Sequence, residues 1–123
     1  SVAPLVKTAK DAERTIVVYD ELALPVGSMK ISFNRSSGGH KGLESIIKAL
    51  KTPAFARLRI GICPTTPSGK LKKPAGEQAV LDFIIGPFKK PELEVVKKTT
   101  KKAAEVLALI LTEGRDKATG QVN

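Results

Sequence analysis

Asp20 closes the apolar run Thr15-Ile16-Val17-Val18-Tyr19 and is the first residue of the chain placed to do chemistry. In open α/β sheets, sites form beyond the carboxyl ends of strands, so a carboxylate there is well positioned to act. A turn or cap role is the ordinary alternative for such an aspartate. The second candidate is Ser36-Ser37-Gly38-Gly39-His40-Lys41-Gly42, which ends where a helical pattern begins. Glycines let a ligand approach the backbone, and the free N–H groups of a helix N-terminus attract anions. Lys41 adds a full positive charge at that place. His40 is the only histidine of the chain. A hydrogen-bonded structural role competes with a role as base, and an unremarkable glycine-rich loop is the alternative for the whole stretch.

Basic charge gathers in two further places. Lys70, Lys72 and Lys73 lie in a Pro- and Gly-rich segment, and Lys97, Lys98, Lys101 and Lys102 lie on a helical pattern. Like-charge pairs at i, i+4 cost an isolated helix about 0.2–0.5 kcal/mol each. A local glutamate or a bound phosphate would offset that cost; a merely solvated lysine face is the alternative. Twenty-one Lys and Arg against twelve Asp and Glu give a formal charge of +9, which attracts polyanions over a screening length of roughly 8 Å. Nucleic acid is the favoured partner, anionic lipid the second.

Several classes are set aside. One His, one Cys and scattered carboxylates offer no metal-ligand spacing, so no metal and no cofactor is expected. A Ser-His-Asp triad lacks any elbow motif to support it. Cys63 has no partner for an intrachain disulfide and, following Ile60-Gly61-Ile62, reads as a small core residue. A reducing compartment, cytoplasmic or mitochondrial, fits that usage. No run of about 18 apolar residues is present, so no membrane span or membrane partner is expected.

The elements that must position these residues follow from periodicity. Thr15–Tyr19 reads as a strand covered on both faces. A loop with Pro25 and Gly27 follows, and then Met29, Ile31 and Phe33 alternate with Ser28, Lys30 and Ser32 in a strand with one wet face. Leu43, Ile46, Ile47 and Leu50 form a helical stripe that Pro53 limits. Leu58, Ile60 and Ile62 alternate with Arg57, Arg59 and Gly61 in a third strand. Pro64 to Gly76 reads as an exposed basic loop, and Ala79 to Ile85 as a short helix. Pro91 opens a long helix with the stripe Leu93, Val96, Ala103, Leu107 and Ile110, and Gly114 stops it. Arg115 to Asn123 shows no strong pattern. Hydrophobic residues at 41% suffice for a core, so one α/β domain over 1–123 with a mixed sheet flanked by helices is expected.

Three stretches together resemble the bacterial-type peptidyl-tRNA hydrolase family. They are Val17-Val18-Tyr19-Asp20-Glu21-Leu22-Ala23-Leu24-Pro25-Val26-Gly27, Gly38-Gly39-His40-Lys41-Gly42-Leu43, and Phe55-Ala56-Arg57-Leu58-Arg59-Ile60-Gly61-Ile62. Val80 to Phe88 and Lys117 to Asn123 match more loosely. The resemblance implies an enzyme that hydrolyses the ester joining a peptide to the 3′ end of tRNA, through a histidine base held by an aspartate. Asp20 then matches the orienting aspartate, a role suited to a carboxylate that steadies an imidazolium. Gly39, His40 and Lys41 fall at the substrate and oxyanion position. Arg59 matches an arginine that meets tRNA phosphate, for which a planar fork is apt.

Two departures matter. The family's catalytic histidine lies in a segment expected to precede Ser1, together with the first strand; the start reads as a cut end. The family's Asn after Gly-Gly-His is Lys41 here, and an ammonium cannot both donate and accept as an amide does. Ser32 also stands where the family often has a phosphate-contacting lysine, with Arg35 close enough to substitute and Lys30 on the same strand. The expectation is therefore a sheet missing its first strand, with an unpaired edge that favours self-association or low stability. Hydrolysis is expected to be weak or absent, because a catalytic group acts as a unit. The partner is the acceptor end of tRNA or another structured RNA; a non-catalytic RNA-binding protein on the same fold is the second reading.

Overall fold

The structure is a computed structural model that describes residues 5–123, so the expected cut end at 1–4 lies outside it. In chain order its elements are α1 (Ala9–Glu13), β1 (Ile16–Pro25), β2 (Met29–Phe33), α2 (Lys41–Leu50), β3 (Ala56–Cys63), α3 (Glu77–Ile85), α4 (Lys90–Glu113) and α5 (Arg115–Val122). β3 lies between the other two strands, parallel to β1 and antiparallel to β2. The mixed α/β sheet is thus the one that the strand–helix–strand order implied.

Register sorts the side chains into two faces. Leu58 stands between Val18 and Ile31, and Arg59 between Tyr19 and Lys30, so alternation puts the two rows on opposite sides. The Leu58 face is the core: Met29, Ile31 and Leu58 pack with Val106 and Ile110 of α4 and Ala118 of α5. α4 has Pro91 in its first turn and ends at Gly114, as its sequence implied. Val106 enters the core where Leu93 was expected to contribute; Leu93, in the first turn, stays 41% exposed. Cys63 is fully buried, and burial raises its thiol pKa above the ordinary value.

β1 differs from expectation. It runs on to Pro25, and its regular pairing with β3 breaks after Glu21 before resuming at Pro25 opposite Cys63. The expected loop shrinks to a tight turn, in which the Ser28 N–H donates to the Pro25 carbonyl at 3.1 Å. Nor is β1 covered on both faces: it is an edge strand, and Val18 is 47% exposed. Among the described residues no strand pairs with its outer side.

The tail is a helix despite its weak pattern. Ala118 is buried, and the Arg115 guanidinium sits 3.5 Å from the Phe33 ring centroid. At its end the Asn123 side chain accepts the Ile31 N–H at 2.7 Å and donates to the Ile31 carbonyl at 2.8 Å. One amide thereby takes the place of a neighbouring strand on the outer edge of β2. Asn123→Ala should lower stability by about 1–3 kcal/mol, the cost of stranding those two backbone groups. A urea midpoint unchanged from the parent would show that water serves Ile31 equally well.

Candidate active site

His40 ties the first strand to the second helix. Its extended backbone makes it the N-cap of α2, and its Nδ1 accepts the Leu43 N–H at 3.0 Å, the work usually done by Ser, Thr or Asp. Its Nε2 lies 3.0 Å from Asp20 Oδ1, and its ring meets Tyr19 edge-on with centroids 5.0 Å apart. A ring nitrogen that accepts an N–H carries no proton, so in the neutral ring the proton belongs on Nε2 and is donated to Asp20. Both nitrogens are committed. To take a proton from a substrate, Nδ1 would have to release the first turn of α2.

Asp20 stands one residue before the break in β1 pairing, and its side chain is 39% exposed. Together with Leu22, Gly39, His40 and Lys41 it lines a cavity of about 320 Å³, closed on one side by Leu81 and Ile84 of α3. Gly38 and Gly39 have φ of 61° and 87°, and a Cβ at either would meet open space. The requirement for glycine there is conformational rather than steric. The structure thus brings Asp20, Gly39, His40 and Lys41 together.

Lys41 meets a carboxylate of α3 at the edge of that cavity. Its Nζ lies 2.8 Å from Glu77 Oε1, and both side chains are largely exposed. The hydrogen bond raises the Lys41 pKa and lowers that of Glu77. Nothing in the local sequence signals this pairing, because the partners are 36 residues apart.

The three candidate phosphate contacts divide. Arg59 Nε and Nη2 reach Glu21 Oε1 at 3.0 and 2.9 Å, and Nη1 lies 3.3 Å from Ser32 Oγ. Arg35 instead borders a small cavity of about 60 Å³ with Tyr19, Ser36, Arg57 and Arg59. Lys30 is exposed opposite Arg59 on the sheet. The residue that sequence reasoning missed is Arg57, 1% exposed. It donates to the Ser36 and Pro53 carbonyls at 2.8 and 2.9 Å, and its guanidinium lies 4.6 Å from the Phe55 ring centroid. The period-two pattern put Arg57 on the face of Arg59; the loop that buries it left no local signal.

The lysine-rich segments are exposed. On α4, Lys97 lies 3.5 Å from Glu94, a local counter-charge. Among the described residues no cluster of His, Cys, Asp or Glu suits a metal ion, and no helix is long and apolar enough to cross a membrane.

A mixed sheet with a carboxylate–imidazole pair beside a glycine-rich helix start, opening on a cavity, defines an α/β protein whose site sits at a strand end. More narrowly, the chain belongs to the peptidyl-tRNA hydrolase family, whose model matches residues 1–123. It is 41% identical over 98 residues to the peptidyl-tRNA hydrolase of Hydrogenobaculum sp., covering 80% of this chain and 47% of that protein. With the Aquifex aeolicus peptidyl-tRNA hydrolase it shares 44% identity over 95 residues, 77% of this chain and 45% of the relative. The crystal structure of the Acinetobacter baumannii peptidyl-tRNA hydrolase superposes with a TM-score of 0.80 at 27% identity, over all of this chain and 58% of that one. The chain therefore spans about half the length of the curated relatives it matches.

Proposed function

We propose that this chain recognises the acceptor end of tRNA and hydrolyses the peptidyl-tRNA ester weakly or not at all in this form. One observation carries the second half of that reading. The chain's only histidine has both ring nitrogens engaged, one on the Leu43 N–H and one on Asp20, which leaves no free imidazole to activate water. Asp20 keeps its orienting role, now toward His40. The tRNA half is supported by family membership and by the net charge of +9.

The test is release of the blocked amino acid from an N-blocked aminoacyl-tRNA by the purified chain, with Asp20→Ala beside it. The expected result is little or no turnover by either, with RNA binding that weakens steeply as salt rises. Clear turnover lost in Asp20→Ala would overturn the inactive reading and mean that His40 leaves its cap to act. A non-catalytic RNA-binding protein is the second reading, favoured by a lysine, Lys41, in place of an amide at the oxyanion position and by the lysine-rich loop and helix. RNA binding unchanged by a peptidyl group on the 3′ end would select it.

The outer edge of β1 supports self-association as well. Its counterpart on β2 is occupied by Asn123, whereas β1 meets no strand among the described residues. Sedimentation should show a mass that rises with concentration; a strict monomer across the range would sink this point.

A further inference from the structure

The two edges of the sheet are finished differently. Asn123 caps the outer side of β2 at Ile31, whereas among the described residues no strand pairs with the outer side of β1. From Ile16 to Glu21, where its register with β3 is regular, β1 presents about 17 Å of unpaired backbone on that side. Such a row of N–H and C=O groups is a template for an extended strand.

The helix layer against this edge is open too. Val18 borders an apolar cavity of about 280 Å³ with Ile60, Phe88, Val96 and Thr100. Thr100 belongs to a stripe of α4 at helical spacing, formed with Leu93, Ala104, Leu107 and Leu111. Leu107 reaches the core, but Leu93 is 41% exposed and Leu111 79%. The other flank of α4 turns toward β2, where Val95 stands close to Gly27 and Leu109 packs on the core cluster that holds Ala118. The exposed stripe therefore lies beside the outer edge of β1.

Length and layering identify the occupant. The stripe runs about 27 Å from Leu93 to Leu111, and it lies in the helix layer rather than the sheet. A lone added strand would pair the β1 backbone and leave Leu111 in water. A second copy of this chain brings both a strand edge and a helix flank. A two-fold axis normal to the sheet then pairs β1 antiparallel with its counterpart and sets α4 against its own counterpart. Thr100 and Ala104, small residues in the middle of the stripe, allow helix axes about 8–10 Å apart. The joint face, about 27 Å by 20 Å, is on the order of 500 Å² in projection, in reach of the roughly 800 Å² of accessible surface that a stable interface takes from each partner.

We infer that the outer edge of β1 and the exposed flank of α4 form a two-fold interface with a second copy of this chain, joining two three-stranded sheets into one of six strands. The inference rests on the self-association proposed above, and adds α4 and the symmetry to it. Each copy carries a formal charge of +9, so repulsion opposes the contact and salt, by screening it, favours it. RNA binding responds to salt in the opposite sense.

The experiment is sedimentation of the RNA-free chain across concentration and salt, with Leu111→Glu and Thr112→Glu beside it. The expected result is a monomer–dimer equilibrium that tightens as salt rises. Leu111→Glu should raise the dimer Kd at least about tenfold, since it presses a carboxylate onto an apolar face. Thr112→Glu makes the same charge change about 100° around the helix, and should alter Kd less than about threefold. Leu111 is mostly exposed, so the fold of the monomer should survive, as the backbone amide spectrum shows. Amide hydrogen exchange over Ile16–Tyr19 should slow as concentration rises.

A monomer at every concentration and salt overturns the interface and the self-association together, and leaves the edge to a strand of another polypeptide. A dimer indifferent to Leu111→Glu, or one without slowed exchange in β1, overturns this interface while self-association stands. A dimer that weakens as salt rises also overturns it, because attraction between charges would then hold the copies.

Discussion

Gly61→Ala should cost about 3–5 kcal/mol or prevent folding, among the largest single effects open to this chain. A Cβ at Gly61 would collide with the Pro25 carbonyl oxygen and lie 2.8 Å from its carbon and 2.9 Å from the Leu24 oxygen. All three are backbone atoms of β1 and cannot rotate aside. The glycine is required because two backbones approach at the point where β1 rejoins β3 after its break in register. That break begins one residue beyond Asp20, so a wedge there would also displace the carboxylate that holds His40. Urea unfolding of the purified variant reads the effect. A midpoint within about 1 kcal/mol of the parent would mean that β1 yields to the methyl group, and that the close approach is no constraint.

Phe55→Ala should be nearly as severe, costing about 3–5 kcal/mol through lost burial and the cavity it leaves. The ring is 0% exposed and lies under the Arg57 guanidinium. Removing it takes away packing and the cation–π contact together, and lets water reach a charge that burial now disfavours. Phe55→Leu keeps most of the volume and should cost less than half as much. Thermal unfolding of both variants checks the argument: equal losses for Leu and Ala would mean that packing volume is not what Phe55 supplies.

The two substitutions act near opposite ends of β3, and both bear on the functional face. β3 carries Arg57 and Arg59 toward the loop that precedes α2, while Leu58 holds the other face against α4. The cavity beside Asp20 and the small pocket over Arg57 are therefore positioned by the same core. A loss of packing beneath either should reach the site as a loss of geometry.

The sequence by itself determined the order and kind of most elements, because those depend on local periodicity. Alternation over Met29–Phe33 and Arg57–Ile62, the stripe from Leu43 to Leu50, and Pro91 with Gly114 around α4 each report which face is apolar within a few residues. The three ordered motifs also determined the family, which the match over residues 1–123 bears out. What only the tertiary structure decided was which charges meet a partner. Glu21 takes Arg59 across 38 residues and Glu77 takes Lys41 across 36, while Arg57 disappears beneath a loop that begins after β2. The same holds for α5, which owes its place to Ala118 in the core and to Asn123 on Ile31, 92 residues away. Periodicity tells each residue which way to face; whether a charge there meets water, a carboxylate or a carbonyl depends on distant segments that no local pattern encodes.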